Sequence, residues 1–271
     1  MKRFKIFRVF KYAIYALLIL NVYWFFTEES SAADVRFNAG VTLAQIIEAY
    51  AATIDTLAWV VLLLTFELET HVLHGHSLKK PVAWSLQTIR GISYICIVYA
   101  FYGYIMNLIG FNNVVPLPGV SDLCALGGSW SYLIELDEYV AITSANCQSF
   151  SSNTSFFQLP RMLAVIDAQG LAKSQSLAWV DVINAAAWLL VVLVLEIDVH
   201  LEKSTGFSGV ALKTNNAIKI FLYLVLLMTA IFWGVNGHFF DFWDAGLWLI
   251  AFFFIELNFV EWRQEGHTHS A

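Results

Sequence analysis

Residues Asn184 to His200 read "NAAAWLLVVLVLEIDVH". The eleven residues from Ala185 to Leu195 hold no charge, no glycine and no proline. With the residues before it, the run reaches about 20, the length that spans a bilayer core as a helix. Lipid offers no partner to backbone N–H and C=O groups, so such a run must satisfy them internally. Comparable apolar blocks lie at about 8–26, 44–68, 84–109, 217–235 and 244–262, beside this one at 178–200. Membrane β-strands would alternate apolar and polar residues, and these blocks do not. Hydrophobic residues make up 59% of the 271 and charged residues 13%, where a soluble domain carries about a quarter charged. The expected fold class is all-α, a polytopic helical membrane protein with six transmembrane helices.

The opening stretch has two counterparts. Asp55 to His71 reads "DTLAWVVLLLTFELETH" and Asp244 to Val260 reads "DAGLWLIAFFFIELNFV". Aligned without gaps, Asp55, Asn184 and Asp244 coincide, as do Trp59, Trp188 and Trp248. Glu67, Glu196 and Glu256 coincide next, and then Glu69, Asp198 and Asn258. The odd spans echo this more weakly. Lys11 and Tyr15 align with Arg90 and Tyr94 and with Lys219 and Tyr223. The expected architecture is three pseudo-repeated helical hairpins. They are 1–69, 70–203 (with an outer loop insertion at about 110–177) and 204–271, the last including a cytoplasmic tail.

Lys and Arg placement orients the chain. With six spans and an inner N-terminus, twelve of the 15 basic residues fall inside, and Arg36, Arg161 and Lys173 fall outside. That predicts an integral protein of the bacterial inner (plasma) membrane with both termini cytoplasmic. Residues 1–33 also carry marks of a cleaved signal peptide, ending near "SSAAD". The repeat argues that this first span is retained. The expected partners are the lipid bilayer and a membrane-protein partner or second copy bound through the outer loop. Nothing points to nucleic acid.

The outer loop contains Pro116, Pro118 and Pro160 with many Ser and Asn, and one or two short helices are expected in it. Loops of this length are usually functional or docking elements. Cys124 and Cys147 lie in it and are expected to form a disulfide, since an outer loop faces an oxidising compartment. Cys96 lies in the third span, and no CxxC motif occurs. Asn153-Thr154-Ser155 matches a glycosylation acceptor, a weak three-residue pattern. The second span is overlong, and its outer part must project or bend.

The candidate chemistry lies in the spans. Glu256 sits twelve residues after Asp244, ~18 Å along a helix, which puts it in the inner leaflet. Glu67 and Glu196 share that depth, and intramembrane ionisable residues are candidates for function. Lys11, Arg90 and Lys219 reach a similar depth, suggesting ion pairs with Glu67, Glu196 and Glu256. Tyr15, Tyr94 and Tyr223 would supply hydroxyls one turn deeper. Residues two apart on a helix point about 200° apart, so Glu69 and Glu67 face different ways. Asp55, Glu69, Asn184, Asp198, Asp244 and Asn258 form a secondary polar stripe.

Glu67 with His71, and Glu196 with His200, stand at i,i+4 and offer four groups for a divalent metal. The third unit has Val260 at that place, and histidines at an inner helix end also suit the macrodipole without a ligand. No cofactor is therefore expected, with divalent metal as the alternative. No Walker loop, GxSxG, HExxH or GxGxxG occurs, which lowers the case for an enzyme. The leading expectation is a transporter or channel for a cation or proton using inner-leaflet carboxylates. The alternative is a non-catalytic structural or assembly subunit docking through the outer loop. The third is a metal-dependent membrane enzyme.

Overall fold

The computed structural model describes residues 2–37, 41–69, 80–126, 129–151, 155–160, 162–203 and 210–268. Side chains are described for these except at 2–8, 36, 44, 198–203, 210–212 and 255–268. The described chain is mostly helical. Among the described residues four helices are long and apolar enough to cross a bilayer, over Val9–Val35, Lys80–Asn112, Ala168–Ile197 and Lys213–Val235. They belong to α1 (Lys2–Arg36), α4 (Lys80–Asn112), α6 (Ala168–Lys203) and α7 (Val210–Val235). The chain divides into two compact units, Met1–Asn21 with Asn184–Ala271, and Val22–Ile183.

In the unit Val22–Ile183, the overlong second span is interrupted. A 3-10 turn (Leu43–Gln45) and α2 (Ile46–Ala49) end at Tyr50, and α3 (Ala51–Glu67) starts afresh. The backbone of Tyr50 leaves the helical region, with φ −134° and ψ 37°. The 17 residues of α3 rise ~25 Å, just short of the hydrocarbon thickness. No side chain next to the break caps α3. The Glu29 carboxylate of α1 does so instead, accepting from the Ala52 and Thr53 N–H groups at 2.8 and 3.0 Å and the Thr53 hydroxyl at 2.6 Å. These are two of the orphan donors of a first turn. Phe26 of α1 stacks on Tyr50 at 5.7 Å. Gly103 of α4 lets α2 come close: a Cβ there would meet the Ile47 carbonyl oxygen at 2.9 Å.

The insertion at about 110–177 is not purely helical, which corrects the all-α expectation. Among the described residues it holds a short helix, α5 (Cys147–Phe150), a 3-10 segment (Leu123–Leu126) and five strands. They are β1 (Val115–Pro116), β2 (Ser131–Glu135), β3 (Glu138–Ala141), β4 (Phe156–Gln158) and β5 (Ala164–Asp167). The sheet order is β1-β4-β5-β2-β3, antiparallel except for the parallel pair β2 and β5. Side-chain alternation sends Leu133, Ala164 and Ile166 to one face, where Leu108 and Phe111 of α4 and Leu171 and Ala178 of α6 cover them. Tyr132 and Val165 face the other way, onto Leu123, Ile142, Cys147 and Phe156. Both sheet edges are blunted: β1 carries a proline, and Asn146 Nδ2 donates to the Ala141 carbonyl of β3 at 2.9 Å.

In the other unit, α7 turns into α8 (Phe239–Thr268) through Gly237, whose φ of +89° favours glycine. Trp188 of α6 and Phe252 of α8 meet at 4.6 Å between ring centres. Phe10 of α1 contacts Phe254 of α8 edge-on at 5.7 Å.

Candidate functional site

The candidate polar groups of the spans are placed by helix pairs. Asp55 on α3 accepts from the Tyr104 hydroxyl of α4 at 3.4 Å. Asn184 on α6 accepts through Oδ1 from the Thr229 hydroxyl of α7 at 3.0 Å. Asp244 on α8 accepts through Oδ1 from Asn21 Nδ2 of α1 at 2.6 Å, and also from the Trp248 indole N–H one turn on. Each of the three is flanked by small or apolar buried side chains: Thr56, Ala58 and Trp59; Ala185, Ala187 and Trp188; Ala245, Leu247 and Trp248. Small residues let a neighbouring helix approach closely enough for a short side chain to reach across.

Glu69 and Arg90 form a salt bridge, each about a quarter to a third exposed. Glu69 lies fourteen residues after Asp55, and Arg90 fourteen before Tyr104. Four turns of antiparallel helix, ~21 Å, therefore separate two polar contacts on one α3–α4 seam. The structure brings the Asp55–Glu69 part of the secondary stripe onto α4. It also gives Arg90 a carboxylate that depth matching alone assigned elsewhere.

The other predicted residues are spread over both units. Glu67 is buried, at 6% exposure. Lys11 is buried at 4%, with Nζ 5.5 Å from the centre of the Tyr12 ring and 5.9 Å from that of Tyr15. Tyr15 is buried too, whereas Tyr94, Lys219 and Tyr223 are half-buried and Glu196 is exposed on its helix. The side chains of Asp198, His200, Glu256 and Asn258 lie outside the described residues, as does His71. The candidate metal set of Glu67, His71, Glu196 and His200 is thus half outside them. Among the described residues no three His, Cys, Asp or Glu side chains are grouped to hold a metal ion.

The insertion holds a second constellation. Cys124 and Cys147 are joined by a disulfide. Tyr132 donates to Asp167 Oδ2 at 2.7 Å, and Asp167 Oδ1 accepts from the Gly170 N–H at 2.6 Å. Asp167 therefore caps α6 and holds a buried phenol at once. Burial, and then the hydrogen bond and charge of Asp167, push the Tyr132 phenol above its ordinary value. Lys173 of α6 pairs with Glu135 of β2. Gln175 Nε2 donates to the Phe111 carbonyl at the end of α4, 3.0 Å away.

Sequence reasoning missed Asn21, Glu29, Tyr104, Tyr132, Asp167 and Thr229. Two had a signal. Asp167 stands directly before a helical run, the position of an N-cap, and Asn21 is an amide within an apolar block. Glu29 had none, because the helix it caps is 23 residues away in the chain.

No family model, no curated protein and no solved structure matches this chain.

Proposed function

We propose that this is a six-span membrane protein of three two-helix units that acts as a non-catalytic subunit, docking through its outer sheet domain. One observation carries the proposal. The polar residues of Asp55, Glu69, Asn184 and Asp244 are each engaged by a side chain of another helix, Tyr104, Arg90, Thr229 and Asn21. Used this way, they act as pins that set helix register, a role attested for sparse polar groups between apolar helices. The three-unit reading is supported by the buried tryptophans, each four residues after a stripe residue bonded by another helix. The bias of twelve basic residues against three supports an inner membrane location with both termini in the cytoplasm. The insertion then lies on the outer side, where its disulfide is at home.

The test has two parts. Purified protein in vesicles is expected to carry no H⁺, Na⁺ or K⁺ flux above protein-free vesicles. Complexes recovered from its native membrane in mild detergent are expected to disappear when 120–165 is deleted with the spans kept. A second reading, a cation or proton path, is favoured by the burial of Lys11 and Glu67 within apolar helices. A flux that Glu67→Gln abolishes would put that reading first.

A further inference from the structure

We propose that the Cys124–Cys147 bond is a reversible thiol-exchange site entered through Cys124, rather than only a staple. The proposal concerns the bond itself and is independent of what the domain docks to. The two cysteine residues have opposite surroundings. Cys124 is exposed on the 3-10 segment Leu123–Leu126. Cys147 is 3% exposed and packs with Leu123, Tyr132, Ile142, Phe156 and Val165. Exchange needs in-line access of a thiolate to one sulfur, and access here selects Cys124.

The step balances. A thiolate attacks Cys124 Sγ and forms a mixed disulfide as the Cys124–Cys147 bond breaks. The electron pair leaves on Cys147 Sγ, which takes up a proton. Attack by a second thiol on the mixed disulfide releases Cys124 as a thiol and yields the oxidised form of the attacking reagent. In the return direction, Cys147 thiolate attacks Cys124 Sγ and expels the incoming thiol.

A second set of contacts keeps the two segments together when the bond opens. Ser151 Oγ accepts from the Leu123 N–H at 2.9 Å and donates to the Cys147 carbonyl at 2.7 Å. Asp122 Oδ1 accepts from the Cys124 N–H at 2.8 Å. Phe150, three residues after Cys147, stacks on Tyr132 at 4.4 Å. These contacts clasp both cysteines to the same face of the sheet without using sulfur. The bond encloses β2 and β3, yet β2 is also paired with β5, and Leu133 of β2 and Tyr139 of β3 pack in the first cluster on the far face. The reduced domain therefore stays folded, with its thiols within reach of each other.

The experiment uses the full chain carrying Cys96→Ser, so that only these two sulfurs respond. It is incubated with reduced glutathione in one arm and a purified dithiol oxidoreductase of the thioredoxin type in the other. Both are quenched by acid and alkylation and mapped by peptide mass. The expected adduct is on Cys124 with Cys147 alkylated, in whichever arm reacts. Near-ultraviolet circular dichroism of the reduced chain is expected to keep the signal of the folded domain. Ser151→Ala removes both of these hydrogen bonds and is expected to slow re-closure by roughly threefold or more. Adducts on Cys147, no adduct in either arm, or loss of the folded signal on reduction would each overturn the proposal.

Discussion

Along the α3–α4 seam, Asp55 meets Tyr104 at one end and Glu69 meets Arg90 at the other, with mostly apolar side chains between. In the sheet of the insertion, Tyr132 meets Asp167 beside two apolar clusters that already fix the strands. The same kind of polar contact has different weight in the two settings. Apolar helices in lipid gain little by meeting one another, because lipid tails are as apolar as leucine. A few polar pairs then decide which residue faces which. The sheet is driven together by leaving water, and its polar pair must chiefly avoid being left unsatisfied. Breaking a pair should therefore cost more stability in the sheet and more register specificity in the helices.

The sharpest test is Asp167→Ala. It removes an N-cap and strands the Tyr132 hydroxyl, so a loss of about 2–4 kcal/mol is expected. Hydrogen exchange of the β2 and β5 amides, with the membrane helices as internal reference, measures it. A smaller loss than for the seam variants below would break the contrast. Gly103→Ala comes next. The added methyl meets the Ile47 carbonyl, and overpacking of this kind costs about 1–3 kcal/mol. Unfolding in mixed detergent reports it, and restoration by shortening Ile47 to Val would not be expected, because the closest atom is backbone.

Glu69→Gln and Arg90→Gln form a double-mutant cycle whose coupling is expected near 0.6–1.7 kcal/mol, roughly the range for polar contacts in membranes. Zero coupling would mean that the pair pins nothing. The smallest effect at neutral pH belongs to Tyr132. Its phenol value is raised in the folded state. The associated stability is fully present below the unfolded value of about 10 and is lost as pH rises through the folded one. Sheet stability should hold through neutral pH and fall in strong alkali, and Tyr132→Phe should remove that fall.

The helical membrane class was legible because long apolar blocks carry their own signal. The disulfide was legible because only two cysteines share the loop. The sheet was not. β1 has two residues and β4 three, too short for a period-two pattern. β5 is buried at all four positions, so no alternation shows. Depth counting placed Arg90 and the glutamates at one height in the membrane. It could not say which neighbour stands beside which, because helix rotation and neighbour order come from packing. The fourteen-residue return from Asp55 to Glu69 is the helical spacing of one face, and both residues meet α4.

Glu29 bears on how such a chain is made. It closes the N-terminal turn of α3 from a separate helix. Emerging alone into a bilayer, α3 would present bare amide donors and Asp55 to lipid, a costly state. With α1 already in place, the cap is waiting when Ala52 and Thr53 arrive. The two helices are thereby suited to leave the insertion machinery as a pair rather than one after the other. Glu29→Ala should then show itself first as degraded nascent chain and only second as a loosened finished protein.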